Sequence, residues 1–393
     1  MDRSAEQPAP AKRGGVLAGL KIIEMEALGP VPFAGMMLAD HGADVICVRR
    51  VGSRFSERNI LARSRRSIMV DITQAEGSRI VQDLCADADA ILEGYRPGVM
   101  ERLGLGPETL MARNPGLTYA RMTGWGQTGP YAQQAGHDIN YIAVAGVLDA
   151  LGRKGDKPTP PINLIGDFGG GGMMLAFGVI SSILNAQRGG SGQVIDCAMT
   201  DGSALLMSMM WWFRAEGTWS DQRGDNVLDT GAHFYDTYET ADGKFLAIGA
   251  IEPKFYEALR QVTGLHDEAL LDNQRDRASW PAAKERLAHV IKQRSRDEWA
   301  AMMEGIDACG SPVLSMGEAP SNAHNVARET FVEIDGVVHP SPAPRFSATP
   351  AAQPEPARAS GAETEAVLRE LGYSSEQTSA LVASGVIQAS ARE

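Results

Sequence analysis

The sequence has little that would bind it covalently or electrostatically to anything large. Four cysteines in 393 residues, Cys47, Cys85, Cys197 and Cys309, lie far apart with no C-x-x-C pair and no Cys/His spacing suited to zinc. They read as reduced core thiols and exclude a disulfide framework. Basic residues are the minority, and the formal charge of −12 excludes a general basic face for nucleic acid or an anionic membrane. The longest apolar runs are broken by Gly, Asp or Arg, residues 1–13 lack the apolar stretch of a secretory signal, and the carboxyl end carries no S-K-L type address. The expectation is a soluble cytoplasmic protein. There is also no Walker A loop and no G-x-G-x-x-G fingerprint, so a Rossmann-like sheet here need not imply NAD.

What is present is a long, regular alternation. Residues 21–25 read as a strand, Pro32 opens a helix over 33–39, and 44–48 read as the next strand. Strands at 67–72, 90–92, 117–122 and 194–198 alternate with helices at 77–86, 99–103, 171–186 and 204–215. That order predicts an α/β fold with a mostly parallel sheet covered on both faces. After about residue 223 the pattern changes to a hairpin, 234–238 and 245–249 around Ala241-Asp242-Gly243, followed by helices at 253–262, 280–292 and 296–304. The division expected is a disordered tail over 1–15, a large domain over 16–224, a smaller α+β domain over 225–326, and a segment over 327–393. The last includes an extended Pro/Ala/Ser-rich stretch at 339–360 and a final helix opened by the capping box Ser374 to Gln377.

Chemistry concentrates in two blocks, Gly136-His137-Asp138-Ile139-Asn140-Tyr141 and Gly166-Asp167-Phe168 with Gly169 to Gly172 behind it. His137 and Asp167 have the residue types of an acid/base pair if the fold brings them together. The glycines open an apolar helix, which suggests backbone N–H groups facing a developing negative charge. The plainer reading, that Asp167 caps a helix and the glycines permit close packing, stands beside it. Seven arginines, Arg49, Arg50, Arg54, Arg58, Arg63, Arg65 and Arg66, crowd a short stretch, with Arg96 and Arg102 beyond it. Guanidinium groups suit the phosphates and base of a nucleotide-like ligand, although a solvated charged surface has the same composition. Met173, Met174, Met199, Met207, Met209 and Met210 with Trp211 and Trp212 are ordinary core filling or the wall of an acyl channel.

Tyr119 to Gln127, the Gly136 to Tyr141 block, Asn163-Leu164 with Gly166 to Gly172, and Ala250-Ile251-Glu252-Pro253 together resemble the α-methylacyl-CoA racemase branch of the family III CoA-transferases, over about 17–347. The resemblance implies an interlocked homodimer. Each chain would have a large Rossmann-like domain built from both ends of the sequence and a small central domain, with the active site shared between chains. It implies an acyl-CoA thioester as substrate, coenzyme A entering as part of that substrate, and no metal or other cofactor. His137 and Asp167 would transfer protons, and Glu252 would orient His137. Arg50, Val70, Asp71, Ile72, Thr73, Arg96 and Arg102 would bind coenzyme A, with Gly136, Asp138, Ile139, Asn140 and Tyr141 at the thioester. A transferase on the same fold would instead use Asp167 as nucleophile. Val31 and His233 stand where this family more commonly has glycine and proline.

Overall fold

The computed structural model describes residues 14–54 and 56–389, so most of the tail expected over 1–15 lies outside the described residues. The chain forms two compact units. The larger holds the residues up to Ala145, Asn163–Leu206 and the chain from Glu329 onward, and the smaller holds Gly146–Ile162 and Met207–Arg328.

In the larger unit the strands are β1 (Lys21–Met25), β2 (Asp44–Arg49), β3 (Arg66–Val70), β4 (Ala90–Glu93), β5 (Thr118–Thr123) and β6 (Val194–Ala198). They pair in parallel in the order β3-β2-β1-β4-β5-β6, and Ile387–Gln388 adds an antiparallel edge on β3. Alternate side chains feed two cores. Ile23, Ile46, Ile68, Ile91 and Tyr119 pack with the helix Ala75–Cys85 and with Val367, Leu368 and Val386 of the returning chain. Ile22, Val45, Ala90, Leu92 and Met122 pack on the other face beneath α1 (Pro30–Asp40). Nearly continuous apolar strands with both faces covered are what a parallel sheet requires. The α/β class and the parallel sheet expected from the alternation are therefore present.

The helical run that begins at Leu164 differs from its expectation. It starts seven residues before the predicted 171–186, as a π-helical segment (Leu164–Met173), and continues as an α-helix through Gln187. By length and composition this run is apolar enough to cross a membrane, which the sequence did not suggest. Here Leu175, Val179 and Ile183 pack into the core beneath the sheet with Val31 and Leu38 of α1. Its glycines are packing residues. A Cβ at Gly170 would lie 2.6 Å from the Ser203 nitrogen, and one at Gly202 would overlap the Gly170 carbonyl, so the helix Met199–Leu206 touches the π-helical segment backbone to backbone.

The smaller unit has an antiparallel sheet of Tyr235–Glu239, Phe245–Gly249 and Gly310–Pro312, covered by the helices Pro253–Thr263, Trp280–Ile291 and Arg296–Met303. Its core centres on Phe234, Trp280 and Trp299. The unit reaches further than the expected 225–326. Arg153 bonds Asp236 at 3.1 Å and Thr237 at 2.9 Å, which draws 146–162 onto this sheet. The single helix expected over 204–215 is two, ending at Leu206 and restarting at Ser208, and the boundary between units falls between them. An antiparallel hairpin, Phe331–Ile334 with Val337–Pro340, precedes and enters the segment expected to be extended. Of the four free cysteines, Cys47, Cys85 and Cys197 are buried and Cys309 is exposed, so only three are core thiols.

Buried charge ties the returning chain to the larger unit. Arg63 and Asp40, with side chains 2% and 4% exposed, form a two-pronged pair at 3.0 and 2.6 Å, and Arg63 also donates to the Pro340 carbonyl at 2.7 Å. Removing one partner strands the other charge in the core. Arg63→Leu is expected to lower unfolding stability by about 3–5 kcal/mol, and adding Asp40→Leu should recover much of the loss, as read from urea unfolding. A double variant no more stable than the single one would contradict this account.

Candidate active site

Strand order reverses between β1 and β4, and open parallel sheets hold their ligands in the crevice outside the carboxyl ends of the strands at such a switch point. Two cavities occupy that edge. One, of about 380 Å³, is lined by Arg50 after β2, Val70, Asp71, Ile72 and Thr73 at and after β3, and Tyr95 and Arg102 after β4. The other, of about 540 Å³, is lined by Glu26 to Val31 after β1, Tyr95, Arg96 and Pro97 after β4, Trp125, Gly136, His137 and Tyr141 after β5, and Asp167 and Met199. Tyr95 lines both.

The structure thus gathers six of the expected coenzyme A residues, Arg50, Val70, Asp71, Ile72, Thr73 and Arg102, around one cavity. It gathers Arg96, Gly136, Tyr141, His137 and Asp167 around the next. Asp138, Ile139 and Asn140 line neither. They begin the helix Asp138–Val144. Asn140 turns back to accept from the His137 N–H at 3.0 Å, and Asp138 is 2% exposed.

The arginine cluster also divides. Arg63 serves Asp40, Arg65 is buried against Glu24, Arg66 bridges Asp44 at 2.5 Å and Glu370 at 2.7 Å, and Arg49 holds Glu26 at 2.6 Å. These four guanidinium groups are held in ion pairs, and Arg49 also lines the cavity of about 380 Å³. Arg50, Arg96 and Arg102 are exposed and lie where an anion would meet them.

Asp167 is held from both sides. Ile162 and Asn163 take positive φ values of 46° and 62°, turning the chain into the π-helical segment, and the Asn163 amide donates to Asp167 Oδ2 at 2.9 Å. The Asp167 N–H donates to Oδ1 of Asp138 at 2.7 Å. A Cβ at Gly166 would overlap that oxygen, so only glycine admits the buried Asp138 carboxylate here. The glycine run therefore does not present its N–H groups at a helix start, as its position suggested. The helix opens earlier, and the Asp167 amide in its first turn is already taken.

Burial raises the Asp167 pKa, and the Asp138 charge adds to this; the Asn163 hydrogen bond and the His137 charge oppose it. The net direction is toward a carboxyl that more readily keeps a proton. His137 is exposed at the amino end of its helix. Its turn is fixed by Tyr141, whose hydroxyl donates to the Gly136 carbonyl and whose ring meets Trp125 edge-on at 4.8 Å.

Glu252 belongs to the smaller unit, where it precedes the helix Pro253–Thr263 with its side chain exposed and its carbonyl accepting from Phe255 and Tyr256. The methionine group is divided as well: Met199 lines the larger cavity, whereas Met207, Met210 and Trp211 line a separate cavity of about 320 Å³ within the smaller unit. Residue-by-residue reading missed Glu26, Glu93 and Tyr95. Their only sequence signal is position, since each stands at or just past the end of a strand flanking the switch point.

Comparison with known proteins agrees with this architecture. A model of CoA-transferase family III matches residues 17–364. The chain is 46% identical over 367 residues to alpha-methylacyl-CoA racemase of Mus musculus, covering 92% of this chain and 95% of that protein. To alpha-methylacyl-CoA racemase of Homo sapiens it is 44% identical over 375 residues, covering 95% and 97%. Among solved structures, a CAIB/BAIF family protein from Brucella suis matches with a TM-score of 0.79 and 25% identity, over 91% of this chain and 100% of that one. A crevice built at the switch point of a parallel sheet and a match spanning most of the chain lead to one assignment: the protein belongs to CoA-transferase family III.

Proposed function

We propose that the protein is a racemase that interconverts (R)- and (S)-2-methylacyl-CoA thioesters by proton transfer. The observation that carries this reading is that His137 and Asp167 line the same cavity at the switch point, with Asp167 biased toward its protonated form. The names of the racemases it resembles point to the same substrate class. Inversion beside a thioester requires one group to take the α-proton from one face and another to return a proton to the opposite face. In one direction His137 takes the proton, leaving an enolate beside an imidazolium, and the Asp167 carboxyl supplies a proton to the other face. In the reverse direction the carboxylate accepts and the imidazolium donates.

The chain's other residues have positioning roles. Arg50, Arg102 and the Val70 to Thr73 segment would hold the nucleotide end of coenzyme A, and Arg96, with Gly136 and Tyr141, the thioester end. Anchoring the large coenzyme portion supplies the orientation that makes the proton transfers effectively unimolecular. Asp138 acts through Asp167 rather than on substrate. We read the protein as a cytoplasmic homodimer with the site shared between chains, in which Glu252, on the smaller unit, orients His137 across the dimer.

Chiral analysis of purified protein incubated with either epimer of a 2-methylacyl-CoA tests the reading. Each epimer is expected to give the same mixture of both, with no coenzyme A passing to an added free acid. Transfer to that acid together with covalent labelling of Asp167 would replace the racemase by a transferase that uses Asp167 as nucleophile. The Asp138 contact has its own consequence. Asp138→Ala loses a charge-assisted acceptor for the Asp167 amide and should lower kcat by about 10- to 100-fold with KM little changed. An unchanged kcat in a folded Asp138→Ala protein would show that this contact does not position Asp167.

A further inference from the structure

The loop after β4 is where the two cavities meet, since Tyr95 lines both and Arg96 and Pro97 line the larger. A carboxylate at the last residue of that strand holds it. Glu93 is 2% exposed, accepts from the Tyr95 N–H at 2.8 Å, and pairs at 3.3 Å with Nε of Arg121, its register partner on β5. Arg121 also bonds Gln127 at 3.0 Å and Glu101. An ionised carboxylate at this depth carries a large desolvation cost that an apolar side chain would avoid. One of its contacts runs to a loop that both cavities share, and the other runs to β5.

We propose that Glu93 is a positioning residue for acyl-CoA binding, its charged carboxylate locking the Tyr95 to Pro97 loop in the shape that joins the nucleotide-side cavity to the reaction cavity. This depends on the racemase reading only for the identity of the ligand. The groups facing Glu93 are Arg121 and Tyr119 from β5, Glu101 from the helix Val99–Arg102, and Tyr95 from the loop, with Glu26 and Arg50 beyond Tyr95. Burial pushes the Glu93 carboxyl up to about 7; the Tyr95 amide and Arg121 oppose this, and Glu101 adds to it. The lock is therefore charged above that pH and is released as pH falls through it. Arg121 keeps its bond to Glu101 when Glu93 takes a proton, so the release creates no free cation to attract a polyanion.

Calorimetric titration of the full-length protein with coenzyme A, at pH values on either side of 7, tests the proposal without requiring turnover. The intact protein is expected to bind about tenfold more weakly on the acid side, the effect of one charge-assisted hydrogen bond. Glu93→Gln should bind about tenfold more weakly at high pH and lose that step. Titration of the ligand's own phosphate is common to both proteins and cancels in the comparison. Wild-type affinity and wild-type pH dependence in Glu93→Gln would overturn the proposal, as would a protein that does not bind coenzyme A at all. Should circular dichroism show Glu93→Gln unfolded, Glu101→Gln serves instead. Removing that neighbouring charge should move the step to lower pH, and an unmoved step would overturn the proposal. A protein that binds coenzyme A with this step yet leaves the α-centre untouched removes the racemase reading and keeps the role of Glu93.

Discussion

The hydrogen bond from the Asp167 amide to the buried carboxylate of Asp138 joins the two blocks of sequence that carry the chemistry. Asp138 begins a short helix directly after His137, so bonding it to the next block holds the histidine and the second carboxyl in one place although they are 30 positions apart. A buried carboxylate is costly unless its oxygens are used, and Gly166 is what lets this one come close enough to be used. Burial is the main cause of the raised Asp167 pKa, and the Asp138 charge adds to it, so the contact that positions Asp167 also contributes to its protonation bias. Both are properties a proton-transfer pair needs, and neither comes from a residue that touches the substrate in this account.

Around that contact, the crevice is organised by carboxylates that hold arginines and loops. Glu24 takes Arg65 in the core beneath it, Glu26 takes Arg49 and the Arg50 amide, and Glu93 takes Arg121 and the Tyr95 amide. Each sits on or just past a strand next to the switch point. The result is that Arg50, Arg96 and Arg102 remain exposed at the cavities. A net-acidic protein can in this way present a local cationic site, because its carboxylates are spent on structural arginines and loop amides.

The elements with strong periodicity were legible in the sequence nearly to the residue. Val194–Ala198 and Phe245–Gly249 have the expected bounds, and β1 to β5 are shifted by two residues at most. What was not legible depends on contacts distant along the chain. The arginine cluster looked uniform because the partners of Arg63, Arg65 and Arg66 (Asp40, Glu24, Asp44 and Glu370) are found only once the sheet forms and the chain returns. The glycine run suggested an N–H cradle, but the helix had already opened at Leu164, and Gly170 was needed for the approach of Gly202. The helix Pro107–Arg113 gave little pattern because it buries only Leu110. Motif resemblance named His137 and Asp167 directly, whereas Asp138, with a buried carboxylate, could be given its structural part only by geometry.

The two-sided proton transfer is the centre of this account, and the most direct measurement is exchange of the α-proton in deuterium oxide by His137→Gln and Asp167→Asn, with each epimer supplied separately. Each variant keeps one of the two bases, so each should exchange the α-proton of one epimer without inverting it, and the two variants should act on opposite epimers. Loss of exchange on the same epimer in both variants would contradict a base on each face and assign the chemistry to a single group.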